Sequence, residues 1–195
     1  MKRKVEKMEQ KFYDVMLDCP IIPAVKDNKG LEMCIQSEIK VVFVLFGDIC
    51  SIGEIIAKLK DAGKTVLVHA DLVLGLSPKE VAVDFIKQNT RADGIISTKI
   101  NLIHRANELG LYTIYRVFIL DSRAIEGLQR QEGTLQADFV EILPGVMPKV
   151  TKHICETIRI PVIAGGLIRD KEDVMQALEA GAMSISTTNQ EVWFM

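Results

Sequence analysis

Two short apolar runs each carry one ionisable residue: Arg116 within YTIYRVF and Glu141 within FVEIL. A charge in a β-branched strand is costly unless it is paired or faces a wet pocket, so both residues demand partners. If the two runs are neighbouring strands, an Arg116–Glu141 ion pair and direct contact with a ligand are both compatible with this pattern. In TVLVHAD, His69 and Asp71 lie two apart, so on an extended strand their side chains face the same way. That pairing suits a diol or acid–base work. Further along, Gly165-Gly166 permits close backbone approach, and Ser186-Thr187-Thr188-Asn189 supplies hydroxyls and amides. Gly165, Gly166, Thr187, Thr188 and Asn189 are the candidate phosphate ligands. Lys99 follows the run GIIST and reads as an exposed helix-start residue, since nothing adjacent would desolvate it for Schiff-base chemistry.

These residues need elements to hold them. Continuous β-branched runs mark strands at Ile21 to Val25, Val41 to Phe46, Thr65 to Asp71, Gly94 to Thr98, Tyr112 to Phe118, Phe139 to Leu143, Pro161 to Gly166 and Ala182 to Thr187. Amphipathic segments follow at Ser51 to Asp61, Pro78 to Gln88, Lys99 to Leu109, Ser122 to Gln131, Pro148 to Thr157 and Asp170 to Ala180. Repeated strand–helix units leave an open doubly wound sheet or a closed barrel. Eight units favour closure, giving an α/β fold: a compact (β/α)8 TIM-type barrel with a phosphate site at the seventh and eighth strand ends. Strand alternation then puts His69, Asp71, Arg116 and Glu141 around one mouth. Residues 1–19 read as an N-terminal helical extension, with Val5, Met8, Phe12 and Val15 near helical spacing to cover the barrel floor. Residues 20–195 form the single barrel domain.

Composition excludes several function classes. The 195 residues carry a net charge of -2, so there is no bulk cationic field to hold a polyanion. The four cysteines and three histidines lack ligand spacing, so neither a zinc site nor a disulfide framework is expected. No apolar stretch approaches the roughly 20 residues of a membrane span, and the basic start lacks the apolar segment of a signal peptide. A cytoplasmic protein without membrane contact is the expectation.

The blocks IIPAV, HADLVLGL, DGIISTKIN, RVFILDS, EILPGVMP, PVIAGGLI and STTN occur in this order at the ends of consecutive strands. Together they resemble the glycerol uptake operon antiterminator regulatory proteins, from about Ile21 to Trp193. The resemblance implies a phosphate-binding barrel that is a regulator and not an enzyme. It implies glycerol 3-phosphate as effector, with no other cofactor, and leader mRNA as partner. Self-association into a homo-oligomer is left open. The residues themselves show no RNA-recognition motif, and Lys99, Arg105, Arg123 and Arg169 are the basic side chains expected near the carboxyl face. Two other functions compete: a small phosphate-handling barrel enzyme of aldolase or isomerase type, and a sensor acting on a protein partner.

Overall fold

A computed structural model describes residues 12–195. Eight parallel strands close into a barrel in sequence order: β1 (Ile21–Val25), β2 (Val41–Val44), β3 (Thr65–His69), β4 (Gly94–Ser97), β5 (Tyr112–Phe118), β6 (Phe139–Leu143), β7 (Val162–Gly165) and β8 (Ser184–Thr187). The ring shuts where β1 pairs with β8, Ile22 opposite Ser186. Residues 12–17 are helical (α1). The outer helices are α2 (Asn28–Ile35), α3 (Ile52–Asp61), α4 (Val81–Asn89), α5 (Ile100–Glu108), α6 (Ser122–Leu135), α7 (Pro148–Thr157) and α8 (Lys171–Glu179). This is the (β/α)8 TIM barrel expected from the unit count.

Side-chain alternation sorts the strands into an inner and an outer core. Ile22, Val41, Phe43, Leu67, Ile96, Ile114, Phe139 and Ile163 pack inside the barrel. Val42, Val44, Val66, Val68 and Ile95 point outward onto the helices. The same parity turns His69, Arg116, Glu141, Gly165 and Ser186 inward. Phe12 closes the floor by stacking on Tyr112 with centroids 3.9 Å apart, and it meets Phe139 edge-on at 5.4 Å. Val5 and Met8, part of the expected floor-covering helix, lie outside the described residues.

Several boundaries shift, α4 starting at Val81 rather than Pro78, α6 running on to Leu135 and β2 ending at Val44, and two further differences bear on the site. The segment between β1 and β2, which shows no strong helical periodicity, forms α2, capped by Asp27 accepting from the Gly30 amide at 2.8 Å. Gly30 obscures the helical signal, yet the tertiary structure requires a glycine there. A β-carbon would sit 2.9 Å from Trp193 Cη2. Strand β3 also ends at His69, and Ala70–Leu72 form a 3₁₀ turn. Asp71 therefore leaves the strand alternation, although it stays close enough to His69 for their charges to interact.

Candidate functional site

Arg116 and Glu141 are paired in register across β5 and β6. Arg116 Nε donates to Glu141 Oε2 at 2.6 Å, with side chains 8% and 0% exposed. The other carboxylate oxygen, Oε1, accepts from the Ser186 hydroxyl on β8. Both oxygens of Glu141 are thus engaged by the chain. Arg116 is different, because only its Nε is committed, and its two terminal nitrogens carry no hydrogen bond to any described residue. Gly165, facing Ser186 across β7 and β8, leaves room for this network. A β-carbon there would lie 2.6 Å from Ser186 Oγ.

A cavity of about 720 Å³ opens above this pair, bordered by Arg116, Glu141, the turn after β1, the turn after β7 from Gly166 to Arg169, and residues 186–191 at and beyond the end of β8. Gly166 and Leu167 both have positive φ, 75° and 63°. For a side chain as large as leucine this conformation is strained, and such strain clusters at ligand sites. Thr187 donates its hydroxyl to the Ile168 carbonyl at 3.0 Å and accepts from the Asn189 amide at 3.0 Å. Asn189 Nδ2 donates to the Arg169 carbonyl at 2.8 Å. The Thr187 and Asn189 side chains therefore tie the two turns together. Trp193, buried between this region and α2, donates Nε1 to the Thr187 carbonyl at 2.8 Å.

Of the expected polar residues, Arg116 and Glu141 border the cavity together with Gly166, Thr187, Thr188 and Asn189. His69, Asp71 and Gly165 are outside its lining. For Asp71 the cause is the 3₁₀ turn, which carries its carboxylate to the end of β4. There Oδ1 accepts from Ser97 Oγ, and Oδ2 accepts from the Thr98 amide and hydroxyl, all at 2.7 Å. Burial pushes the Asp71 carboxyl up, but these donors and the neighbouring His69 outweigh it and hold it below the usual range. His69 is 3% exposed, with Nδ1 unpartnered. Burial, seconded by the Arg116 charge and opposed by Asp71, lowers its pKa to about 4, so it is neutral at pH 7. Gly165 serves the Glu141 network, while Gly166 is the glycine at the cavity wall.

Three cations stand at the rim, of which Lys26 and Lys29 escape the sequence reading while Arg169 is one of the basic residues expected near the carboxyl face. Lys26 and Lys29 flank the Asp27 cap, and Arg169 follows β7; all three are exposed and border the cavity. The run KDNK immediately after a strand end is the signal that could have found the lysines, by the same carboxyl-end rule that singled out Asp71. Lys99 and Arg123 sit exposed at helix starts on this face. Arg105 does not belong with them, since it lies further along α5, ion-paired to Asp84 at 2.6 Å and Glu108 at 2.7 Å. Among the described residues no group of three or more His, Cys, Asp or Glu side chains is placed to hold a metal ion. None of their helices is long and apolar enough to cross a membrane.

Residues 21–193 match the family model of the glycerol-3-phosphate responsive antiterminators. The uncharacterized protein YgcP of Escherichia coli (strain K12) is 47% identical over 174 residues, 89% of this chain and 91% of that one. Among solved structures, the glycerol uptake operon antiterminator regulatory protein of Listeria monocytogenes str. 4b F2365 superposes with a TM-score of 0.85 at 35% identity, covering 89% of this chain and 94% of that one. A glycerol uptake operon antiterminator-related protein of Thermotoga maritima MSB8 gives a TM-score of 0.80 at 37% identity, covering 91% and 99%. With barrel, cavity and matching segment coinciding over nearly its whole length, the chain belongs to the glycerol-3-phosphate responsive antiterminator family.

Proposed function

We propose that this chain is a cytoplasmic, non-catalytic regulator that binds glycerol 3-phosphate at the β7–β8 side of the barrel and leader mRNA at its carboxyl face. In doing so it promotes transcription antitermination of glycerol-utilisation genes. The observation that carries the reading is the coincidence of the family match with a cavity edged by Lys26, Lys29 and Arg169. The phosphate lies against the Gly166 turn and residues 187–189, where strand-end amides and the rim cations favour an anion. The glycerol end reaches down towards Arg116.

The lysines support a binding role over aldolase chemistry. A Schiff-base lysine must be desolvated to act as a nucleophile. Lys99 is exposed, and buried Lys64 donates to the Ser37 carbonyl at the amino end of the barrel. For RNA, a chain of net charge -2 has little affinity through bulk field. Contacts must be local, with Lys99, Arg123 and Arg169 among the exposed cations of the ligand-bearing face.

The test is an electrophoretic mobility shift with the leader transcript of a glycerol operon, with and without saturating glycerol 3-phosphate, at low and moderate salt. Ligand should raise RNA affinity. Identical affinities would favour a phosphate-handling enzyme or a sensor acting on a protein partner.

A further inference from the structure

We infer that the RNA lies across the half of the barrel mouth from β4 to β7, with an unpaired base stacked on Phe118 and the adjoining phosphates held by Arg123 and Arg169. The inference rests on the proposed RNA partner and deepens it by naming the surface, which takes a single strand rather than a duplex.

Charge divides the carboxyl face into two halves. In the segments that lead from β4, β5, β6 and β7 into the second residue of the following helix, the exposed cations are Lys99, Arg123, Lys149, Arg169 and Lys171, against the exposed carboxylates Asp121, Asp170 and Glu172. Two of these carboxylates are turned to their own helix starts, Asp121 accepting from the Ala124 amide at 3.1 Å and Asp170 from the Asp173 amide at 3.0 Å. None of the five cations is ion-paired among the described residues. In the other half, Lys26, Lys29 and Lys79 stand against Asp27, Asp48, Asp71, Glu80 and Glu191. A chain of net charge -2 thus keeps a local basic sector, and a polyanion is drawn to that side of the mouth.

The same sector carries an open aromatic ring. Tyr112, Ile114 and Arg116 face the barrel interior, and strand alternation sets Phe118 on that side at the top of β5, where it is 52% exposed. Exposed aromatic side chains among the described residues are Tyr13, Phe118 and Phe194; Tyr13 belongs to the barrel floor and Phe194 to the chain end. Register places Phe118 opposite Leu143 on β6, which borders the cavity. Backbone bonds then carry the ladder past the strand ends, the Ile119 amide donating to the Leu143 carbonyl at 2.7 Å and the Gly145 amide to the Gly166 carbonyl at 3.0 Å. The turns after β5, β6 and β7 are therefore stitched side by side, and the last of them presents the exposed Leu167 and Arg169 while bordering the cavity.

A half-exposed ring among unpaired cations fits single-stranded RNA, whose bases stack on aromatic faces while its phosphates take up cations. An A-form duplex keeps its base faces stacked inside and has no use for the ring. A protein partner would bury the leucines and need no planar face. Because the Gly166–Arg169 turn also borders the proposed phosphate position, a bound effector steadies the surface that the RNA meets.

Fluorescence anisotropy of the full chain with the leader transcript, at saturating glycerol 3-phosphate and across a range of salt, tests this. Phe118→Ala and Phe118→Leu should each weaken RNA binding about tenfold, the scale of one stacked base. A loss below threefold in either overturns the stacking. Phe118→Tyr, which keeps the ring, should stay within threefold of wild type, and a larger loss overturns it likewise. Arg123→Gln should reduce the slope of log affinity against log salt by about 1, one phosphate contact, whereas Lys79→Gln in the acidic half should leave it unchanged. An unchanged slope in the first, or a reduced one in the second, overturns the sector, and this pair decides the matter if the Phe118 variants do not fold. If wild type binds RNA in an effector-dependent way and these variants match it, the regulatory reading stands and this surface falls. If wild type binds no leader RNA at any salt, both fall and the exposed leucines are left to a protein partner.

Discussion

A β-carbon on Gly165 would lie 2.7 Å from Oε1 of Glu141. The glycine at the end of β7 is therefore the clearance that lets a fully buried carboxylate stand inside the barrel mouth. Glu141 has nowhere to retreat, because Arg116 and Ser186 hold its two oxygens.

Gly165→Ala should accordingly destabilise the protein by about 1 to 3 kcal/mol, the usual range for overpacking a tight core. Urea denaturation measures it. A loss below about 0.5 kcal/mol would mean that the carboxylate moves freely. Gly166→Ala acts by another route, through its φ of 75°, and should cost about 1 to 2 kcal/mol of backbone strain.

Removing one member of the buried pair is expected to be worse than removing both. Arg116→Met leaves the Glu141 charge buried without its cation, a loss of about 3 to 5 kcal/mol. Arg116→Met/Glu141→Leu should recover most of it, because an apolar pair of similar volume fits the same place. Equal instability of the single and double variants in chemical denaturation would show that the pair is not the source of the cost.

His69 gives the fold a defined acid sensitivity. Its folded pKa, lowered to about 4, lies below the ordinary value of 6.5. Between these values the unfolded chain binds the proton and the folded chain does not, so stability falls as pH drops from 6.5 towards 4 and is flat in this respect above 6.5. The loss attributable to His69 is on the order of 1 to 3 kcal/mol. Denaturation midpoints of wild type and His69→Gln across pH 4 to 7 check it. The variant should show a shallower acid slope, and an unchanged slope would remove His69 as its cause.

Trp193→Phe deletes the donor to the Thr187 carbonyl and also removes the Cη2 edge that packs on Gly30. A buried carbonyl left unpaired costs about 1 to 3 kcal/mol. The turn at residues 187–189 should loosen with it, so phosphate affinity in calorimetry should fall alongside the melting temperature. Lowered stability with unaltered phosphate affinity would separate Trp193 from the site.

Ligand and RNA coupling must be reciprocal. Whatever factor glycerol 3-phosphate applies to RNA affinity, RNA must apply to glycerol 3-phosphate, typically through about 1 to 3 kcal/mol. Calorimetric titration of the effector into free and RNA-bound protein supplies the second arm. Factors that disagree would show that the shift does not arise from one coupled equilibrium.

The barrel was legible in the chain because its cause is local and repeated. Eight β-branched runs alternate with helical periodicity, and β1, β5, β6 and α7 fall on the residues that the pattern marks. The demand of Arg116 and Glu141 for partners was legible for the same reason, since a charge in an apolar strand is visible in one dimension. That they satisfy each other, and that Ser186 takes the second oxygen, was fixed only by barrel closure, which brings β8 within reach of β6 across the interior. Asp71 shows the opposite case. Period-two alternation aims it the same way as His69, but the strand ends two residues too soon, and the carboxylate turns to the donors at the end of β4. Helix α2 hides in the sequence because Gly30 weakens its signal, and the need for that glycine comes from Trp193, more than 160 residues away in the chain. Residue type and spacing thus determined which elements form and which groups must be paired. The choice of partner, and which donors stay open to a ligand, followed from packing between residues distant in sequence.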